Sequence, residues 1–483
     1  WPTPINPEKQ IPMKKILIVM SAAAGLAFAG CRPQNPDVPA VREFIRDNWH
    51  TTVQHCTADT ATLIGLPYPY TVPTAGAMFR EMYYWDTFFT NEGLVRDGHP
   101  ELAKGNTDNL LYMVRRFGKV YNGSRTYYEA RSQTPYLSMM VDRIYRQTGD
   151  KQWLADAYET LKEEYGFWMR ERLTPTGLNR YGSSATDALV DEFLVTGGKR
   201  LGTDLFDKGY TPERLHKLGL DFVAEAESGW DFNPRYDRRC TDFCPLDLNA
   251  NLFMYEVNFA RFAQELGRTD EIREWIAKAE LRRARILEYC YDPEAKQFYD
   301  YDYVNGRRSD VLSGAVFSLL YTGAVPREYA GDIVQALVRL EFPYGIAACE
   351  DKPYDYPYQW SYPNTWPPVC FYAVMGLARY GYGKEAERIA VKWMKAVTES
   401  FKTTGNLWEK YNVETGTTDV SNEYEMPAML GWTAGTFICL DDYLAGRDTL
   451  VDWLLANGAD YTAPEQPDAP LTRGRLAWML WQA

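Results

Sequence analysis

The hexapeptide Glu227-Ser228-Gly229-Trp230-Asp231-Phe232 sets the carboxylate of Asp231 between a Trp and a Phe. A carboxyl pressed against aromatic rings loses water, so its neutral form is favoured and its pKa is expected to rise. A protonated carboxylic acid near neutral pH is what a glycosidic oxygen needs as it departs. Without that chemistry, the same six residues read as a surface turn after a helix.

Five further segments carry residues of the same chemical kind. They are Ala75–Asp86 (AGAMFREMYYWD), Asn122–Gln133 (NGSRTYYEARSQ), Gln359–Pro368 (QWSYPNTWPP), Trp408–Tyr411 (WEKY), and Glu423-Tyr424 followed by Gly431-Trp432. Taken in this order with the acid loop, they resemble the trehalases of glycoside hydrolase family 37, from about Phe79 to Trp432. The resemblance implies an all-α (α/α)6 barrel, two rings of six helices with the active site at one mouth. It also implies cofactor-free, inverting hydrolysis of α,α-trehalose to two glucoses.

On that resemblance Asp231 is the general acid and Glu409 the general base. Inversion requires the two carboxyls to stand roughly 6.5–9.5 Å apart, with room for water between base and sugar. The residues expected to bind sugar are Phe79, Trp85, Asp86, Asn122, Arg131, Ser132, Gln133, Gly229, Trp360 and Glu423. Carboxylates accept from vicinal hydroxyls, Arg and Asn donate to them, and charge-assisted bonds are the stronger ones. Trp85 and Trp360 serve equally well as sugar platforms or as core. Glu423 fits its distance to Gly431-Trp432 better than Glu425, and the bland alternative for Arg80 with Glu81 is a mutual ion pair beneath the site.

The chain departs from the family pattern in places. Met78 stands where the family has a sugar-binding Arg, and Ser361, Thr365 and Pro367 replace Asp, Gly and Ala of the second signature. The family's Arg-Pro-Glu element has only Thr211-Pro212-Glu213 as a candidate remnant. Both catalytic candidates are retained, so the departures bear on which sugar is bound more than on the reaction type.

Helices must position these loops. Apolar residues recur at three- and four-residue spacing over 102–120, 135–147, 151–173, 246–266, 271–289, 311–321, 328–340, 369–380, 384–401 and 429–444. Gly or Pro punctuates most joints, as at Gly149, Pro326 and Gly383. The candidate site residues fall between these stretches. Gln297–Tyr303 (QFYDYDY) is the best candidate for a short hairpin. No strong linker interrupts 41–447, so that span reads as one catalytic domain. A solenoid would show a fixed repeat period, and none is present.

The amino-terminal region reads as an address. Residues 1–12 precede Met13 and read as a non-native leader; 13–30 combine a basic start with a short apolar run, as in a signal peptide. Phe28-Ala29-Gly30-Cys31 resembles a lipoprotein cleavage box, which implies lipidation of Cys31 and a membrane-anchored, exported enzyme facing the periplasm or cell exterior. Residues 31–40 read as a tether and 448–483 as an extension without an assigned role.

Composition narrows the partners. A net charge of −13 argues against nucleic acid. The four His residues sit in no ligand pattern with Cys or carboxylates, so no metal is expected. The eight Cys establish no bridge by spacing, and oligomeric state is open. The expected partner is a small disaccharide. Alternatives are an inverting glucosidase for another α-linked glucoside, a phosphorylase on a related barrel, and a non-catalytic sugar-binding lipoprotein.

Overall fold

Six helices of the chain are buried on every face at their amino-terminal ends, and they form the inner wall of a barrel. The computed structural model describes residues 35–447 apart from 357, 421 and 429. The expected leader, signal peptide, Cys31 and extension at 448–483 lie outside the described residues.

In chain order the helices are α1 (Val38–Asn48), α2 (Tyr84–Arg96), α3 (Pro100–Phe117), α4 (Leu137–Thr148), α5 (Lys151–Glu171), α6 (Asp187–Arg200), α7 (Pro212–Ser228), α8 (Leu246–Glu265), α9 (Thr269–Arg285), α10 (Phe317–Thr322), α11 (Ala330–Val334), α12 (Leu337–Leu340), α13 (Pro367–Arg379), α14 (Gly383–Thr404) and α15 (Gly431–Leu444). Unbroken buried runs open the inner helices α2, α4, α8, α10, α13 and α15. A helix that is apolar all round belongs in a core. By contrast α1, α3, α5, α9 and α14 bury one stripe and expose the other, and with the short α11–α12 pair they form the outer ring. The inner helices pack in sequence, α2 on α4, α4 on α8, α8 on α10, α10 on α13 and α13 on α15, and α15 returns to α2. This is the (α/α)6 barrel.

Closure of the ring depends on two glycines. A Cβ on Gly435 would lie 2.0 Å from the Phe89 carbonyl oxygen, and one on Gly93 2.5 Å from Cα of Gly435. Only bare backbone lets α15 approach α2 this closely.

An outer segment carries the chain back between successive inner helices. All six inner helices therefore run the same way, and their amino termini share one face. The α6–α7 hairpin is inserted between α5 and α8, and it encloses a second small apolar cluster around Leu194, Phe222, Phe232 and Tyr358.

Several expectations are corrected by this architecture. α1 opens at Val38, inside the expected tether, because Pro is accommodated in a first helical turn. Trp85 and Asp86 lie on α2, not in a loop: their signature is so rich in aromatics that no apolar stripe is visible. α6 escaped the periodicity reading for want of a strong core-facing stripe; nothing in the structure explains why α7 did. Residues 297–303 are not a hairpin of their own; Gln297–Phe298 pairs with Tyr291–Asp292, while Tyr301–Asp302 pairs with both Phe243–Cys244 and Arg307–Arg308.

Candidate active site

The acid loop begins where α7 stops. Gly229 caps the helix at φ +77°, and a Cβ there would lie 2.8 Å from ring carbons of Trp85. Glycine is therefore required twice, for the left-handed turn and for the close approach. The end of α7 is clamped from outside. Glu227 is fully buried and accepts from Arg172 Nε (2.8 Å) and Nη2 (2.9 Å), from Ser132 N (2.8 Å) and from Gly182 N (2.8 Å). Asn122 Nδ2 donates to Ala226 O at 3.0 Å, and Thr134 Oγ1 to Ser228 O at 2.8 Å.

Asp231 is not pressed dry into an aromatic wall, contrary to the sequence expectation. Trp230 turns away beneath the Arg235 guanidinium (4.6 Å), and the Asp231 side chain remains 26% exposed. Its partner is Arg200, the last residue of α6. Arg200 Nη1 donates to Asp231 Oδ2 at 2.7 Å, and Nη2 lies 3.0 Å from Asp231 O and 2.8 Å from Glu423 Oε2. The guanidinium also lies over the rings of Phe232 (4.7 Å) and Tyr424 (5.7 Å).

Glu409 is buried, and its carboxylate is held at both oxygens. Tyr424 Oη donates to Oε1 at 2.7 Å and Lys410 Nζ to Oε2 at 2.7 Å. Lys410 is itself fully buried and lies 4.6 Å from the Trp366 ring. Gln359 joins the two halves: its Nε2 donates to Asp231 O at 2.7 Å, and its Oε1 accepts from Lys410 Nζ at 3.4 Å. One network thus runs from Asp231 through Gln359 and Lys410 to Glu409.

Two further carboxyls complete the site. Asp86, in the first turn of α2, is pushed up to about 8, first by burial and then by the charge of Glu409. Glu423 is raised to about 7: burial pushes it up most, Arg200 opposes, and Asp231 adds to the rise. It also accepts from Phe232 N at 3.1 Å. Glu425 is exposed, so Glu423 is the acidic residue the barrel turns inward. Near neutral pH, the site combines proton donors with carboxylates in one mouth, which suits acid–base chemistry on hydroxylated substrates.

The Trp side chains form a floor. Trp360 stacks on Trp366 with centroids 3.8 Å apart and also meets Trp85 (5.5 Å) and Trp230 (4.8 Å). Trp85 and Trp360 are each 2% exposed, so they are core beneath the site and not open platforms. Phe79 stands at φ +53° and meets Tyr83 and Tyr424 edge-on. A bulky residue in that conformation is strained. Arg131 is buried between the rings of Tyr128 (4.8 Å) and Phe193 (4.7 Å), with its Nε unpartnered, and desolvation lowers its pKa. Asn122, Ser132 and Gln133 are used internally; Gln133 Oε1 accepts from Trp85 N at 3.0 Å. Their contacts hold the loops in register.

Arg80 and Glu81 do not pair with one another. Arg80 donates to the carbonyls of Ala75 (3.2 Å) and Gly76 (3.4 Å), whereas Glu81 pairs with Arg125 (3.1 Å). The Thr211-Pro212-Glu213 candidate is also corrected: Thr211 caps α7 and Glu213 is exposed. The residue that sequence reasoning missed is Arg200. It ends a short Gly-Gly-Lys-Arg run, and nothing in that run distinguishes it from a helix-end cation.

The fold and the acid–base site define a glycoside hydrolase of the (α/α)6 type. The trehalase family pattern matches residues 26–444, and the chain belongs to that family. Among solved structures, neutral trehalase Nth1 from Saccharomyces cerevisiae is 27% identical, with a TM-score of 0.68 over 86% of this chain and 81% of that one. A GH63 mannosylglycerate hydrolase from Thermus thermophilus shares the fold at 17% identity, TM-score 0.57, over 82% of this chain and 99% of that one. A GH78 rhamnosidase of Bacillus sp. GL1 shares it at 15% identity, TM-score 0.55, over 85% of this chain and 35% of that one.

Proposed function

We propose that the enzyme hydrolyses α,α-trehalose with inversion. Asp231 gives its proton to the glycosidic oxygen as the bond to the anomeric carbon breaks. Water attacks that carbon from the opposite face and loses a proton to Glu409. One glucose leaves as the β anomer and the other retains the α configuration. Asp231 can donate only when protonated, and because Arg200 contacts Oδ2, Oδ1 is the oxygen that carries the proton. Arg131, with a buried and unpartnered N–H, suits a sugar hydroxyl, and Asp86 in its neutral form supplies a donor beside Glu409.

The observation that carries this reading is the shared network. Tyr424 bonds Glu409 through its hydroxyl and lies with its ring under the guanidinium that pairs with Asp231, so the acid and base candidates flank one tyrosine. Early-time NMR of the products is the test: β-glucose must appear with the first turnovers, and release of the α anomer alone would sink inversion.

A second reading, an α-glucosidase for another linkage, is supported by Met78, which is exposed, and by the buried Ser361 hydroxyl without a partner. A reducing-sugar assay over trehalose, kojibiose, nigerose and maltose separates the two. The proposal also keeps the enzyme exported and lipid-anchored through Cys31, on the strength of the sequence before it. Mass spectrometry of the amino-terminal peptide checks this, and an unmodified thiol would remove the anchor.

A further inference from the structure

Glu81 stands where two segments that carry sugar-binding candidates meet, 79–86 and 122–133, and the proposed proton transfers leave it unused. Backbone bonds zip the two segments together beside it. Ser124 N donates to Met82 O at 2.8 Å, Tyr84 N to Asn122 O at 3.1 Å, and Met82 N to the Ser124 hydroxyl at 3.0 Å.

Glu81 is only 5% exposed, and a buried carboxylate demands donors. Tyr83 Oη donates to its Oε1 at 2.8 Å and Tyr127 Oη at 3.0 Å, while Arg125 Nε lies 3.1 Å from Oε2. The first donor belongs to its own segment and the other two to the facing one. Tyr128 Oη lies 2.8 Å from Tyr83 Oη and 3.5 Å from Glu81 Oε1. A phenol has one hydrogen to give, and an ionised carboxylate only accepts. The shorter distances therefore set one order: Tyr128 donates to Tyr83, and Tyr83 donates to Glu81.

Both phenols of this chain touch a sugar-binding candidate. The Tyr83 ring meets Phe79 edge-on at 5.6 Å, and the Tyr128 ring lies 4.8 Å from the Arg131 guanidinium. Among the described residues no carboxylate pairs with Arg131; the rings of Tyr128 and Phe193 hold it, and its Nε is buried without a partner. A hydroxyl polarised toward a carboxylate makes its ring richer in electrons, and the ring face a better seat for a cation. Phe79, two residues before Glu81, keeps its strained φ of +53°. Such a conformation persists only where the surroundings impose it, and the anchored carboxylate is one such restraint.

We propose that Glu81 is a positioning residue of the sugar site, fixing Phe79 through Tyr83 and Arg131 through Tyr128. The inference rests on the reading of Phe79 and Arg131 as sugar contacts. Glu81 itself meets no substrate; it decides where two groups that do are held.

The test compares wild type, Glu81→Gln, Tyr128→Phe, Arg131→Met and the double variant Glu81→Gln/Arg131→Met, with trehalose as substrate. Glu81→Gln should raise KM about tenfold and change kcat by less than about threefold, the signature of lost uniform binding. Tyr128→Phe keeps the ring and removes one hydroxyl, and it should raise KM in the same direction, which keeps the test open should Glu81→Gln not fold. In the double variant KM should rise by less than the product of the two single rises, because Glu81 acts partly through Arg131. A purely structural Glu81 gives independent, multiplying losses. Crystal structures of wild type and Glu81→Gln supply a readout that needs no turnover: the Tyr128 ring and the Arg131 guanidinium should be displaced in the variant. If wild type does not turn over trehalose, the hydrolysis reading fails and the displacement alone decides the positioning. Unmoved Tyr128 and Arg131, or KM unchanged in both Glu81→Gln and Tyr128→Phe, overturns the proposal.

Discussion

The hydroxyl of Tyr424 donates to Oε1 of Glu409 over 2.7 Å, in a pocket where the same carboxylate also holds the ammonium of Lys410. The proposed base is thereby fixed in orientation before substrate arrives. Tyr424→Phe removes one charge-assisted bond, and kcat should fall about ten- to a hundredfold, with a stability loss of about 1–3 kcal/mol from the buried carboxylate left one donor short. An unaltered kcat would show that Lys410 alone orients the base.

The two proposed catalytic carboxyls should fail separately. Asp231→Asn and Glu409→Gln are each expected to lower kcat by about 10²- to 10⁴-fold or more, with the helical spectrum intact. Full activity in either variant would exclude that residue from proton transfer.

Arg200 serves two carboxylates, and one of them, Glu423, has a side chain only 1% exposed. Above about pH 7, where Glu423 is ionised, removing the cation strands a buried charge. Arg200→Gln should therefore cost about 3 kcal/mol of stability, and adding Glu423→Gln should restore part of it. Denaturant unfolding of both variants measures this, and strictly additive losses would break the proposed coupling.

Stability should fall as pH rises toward mild alkali. Asp86 at about 8, Glu423 at about 7 and Glu164 at about 7 hold protons in the folded state that an unfolded chain releases near pH ~4. Between those limits the folded state binds more protons, so each group contributes a loss of up to about 1.4 kcal/mol per pH unit. Below about pH 4 both states are protonated, and above about 8 both are ionised, so the slope vanishes at either end. Melting temperatures from about pH 4 to 9 should show the decline, and Asp86→Asn should flatten it. An unchanged slope in that variant would remove Asp86 as a contributor.

Gly229→Ala should damage activity more than fold. The new Cβ meets Trp85 at 2.8 Å and forces a side chain into φ +77°, so the strain falls on the turn that aims Asp231. A cost of about 1–3 kcal/mol is expected. Wild-type turnover from the variant would show that the loop adapts.

Legibility from sequence followed the physics of each element. Outer helices such as α14 were readable within a few residues, because one exposed face leaves an apolar stripe. The inner helix α2 was not, because its run of aromatic and polar residues read as a loop signature. Within the site, Asp231 and Glu409 were found through the motifs around them. Arg200 was not, because its role comes entirely from the α6–α7 hairpin laying the end of α6 beside the acid loop.

Sequence alone determined the helical class, the family and the carboxylates available for acid–base chemistry, since these depend on periodicity and on short contiguous motifs. The tertiary structure decided the electrostatic state of each group. It turned Trp85 and Trp360 into floor, placed a guanidinium on Asp231 and an ammonium on Glu409, and left Asp86 with a raised proton affinity. Charge interactions depend on distance and burial between residues remote in the chain, and only the closed ring of helices sets those.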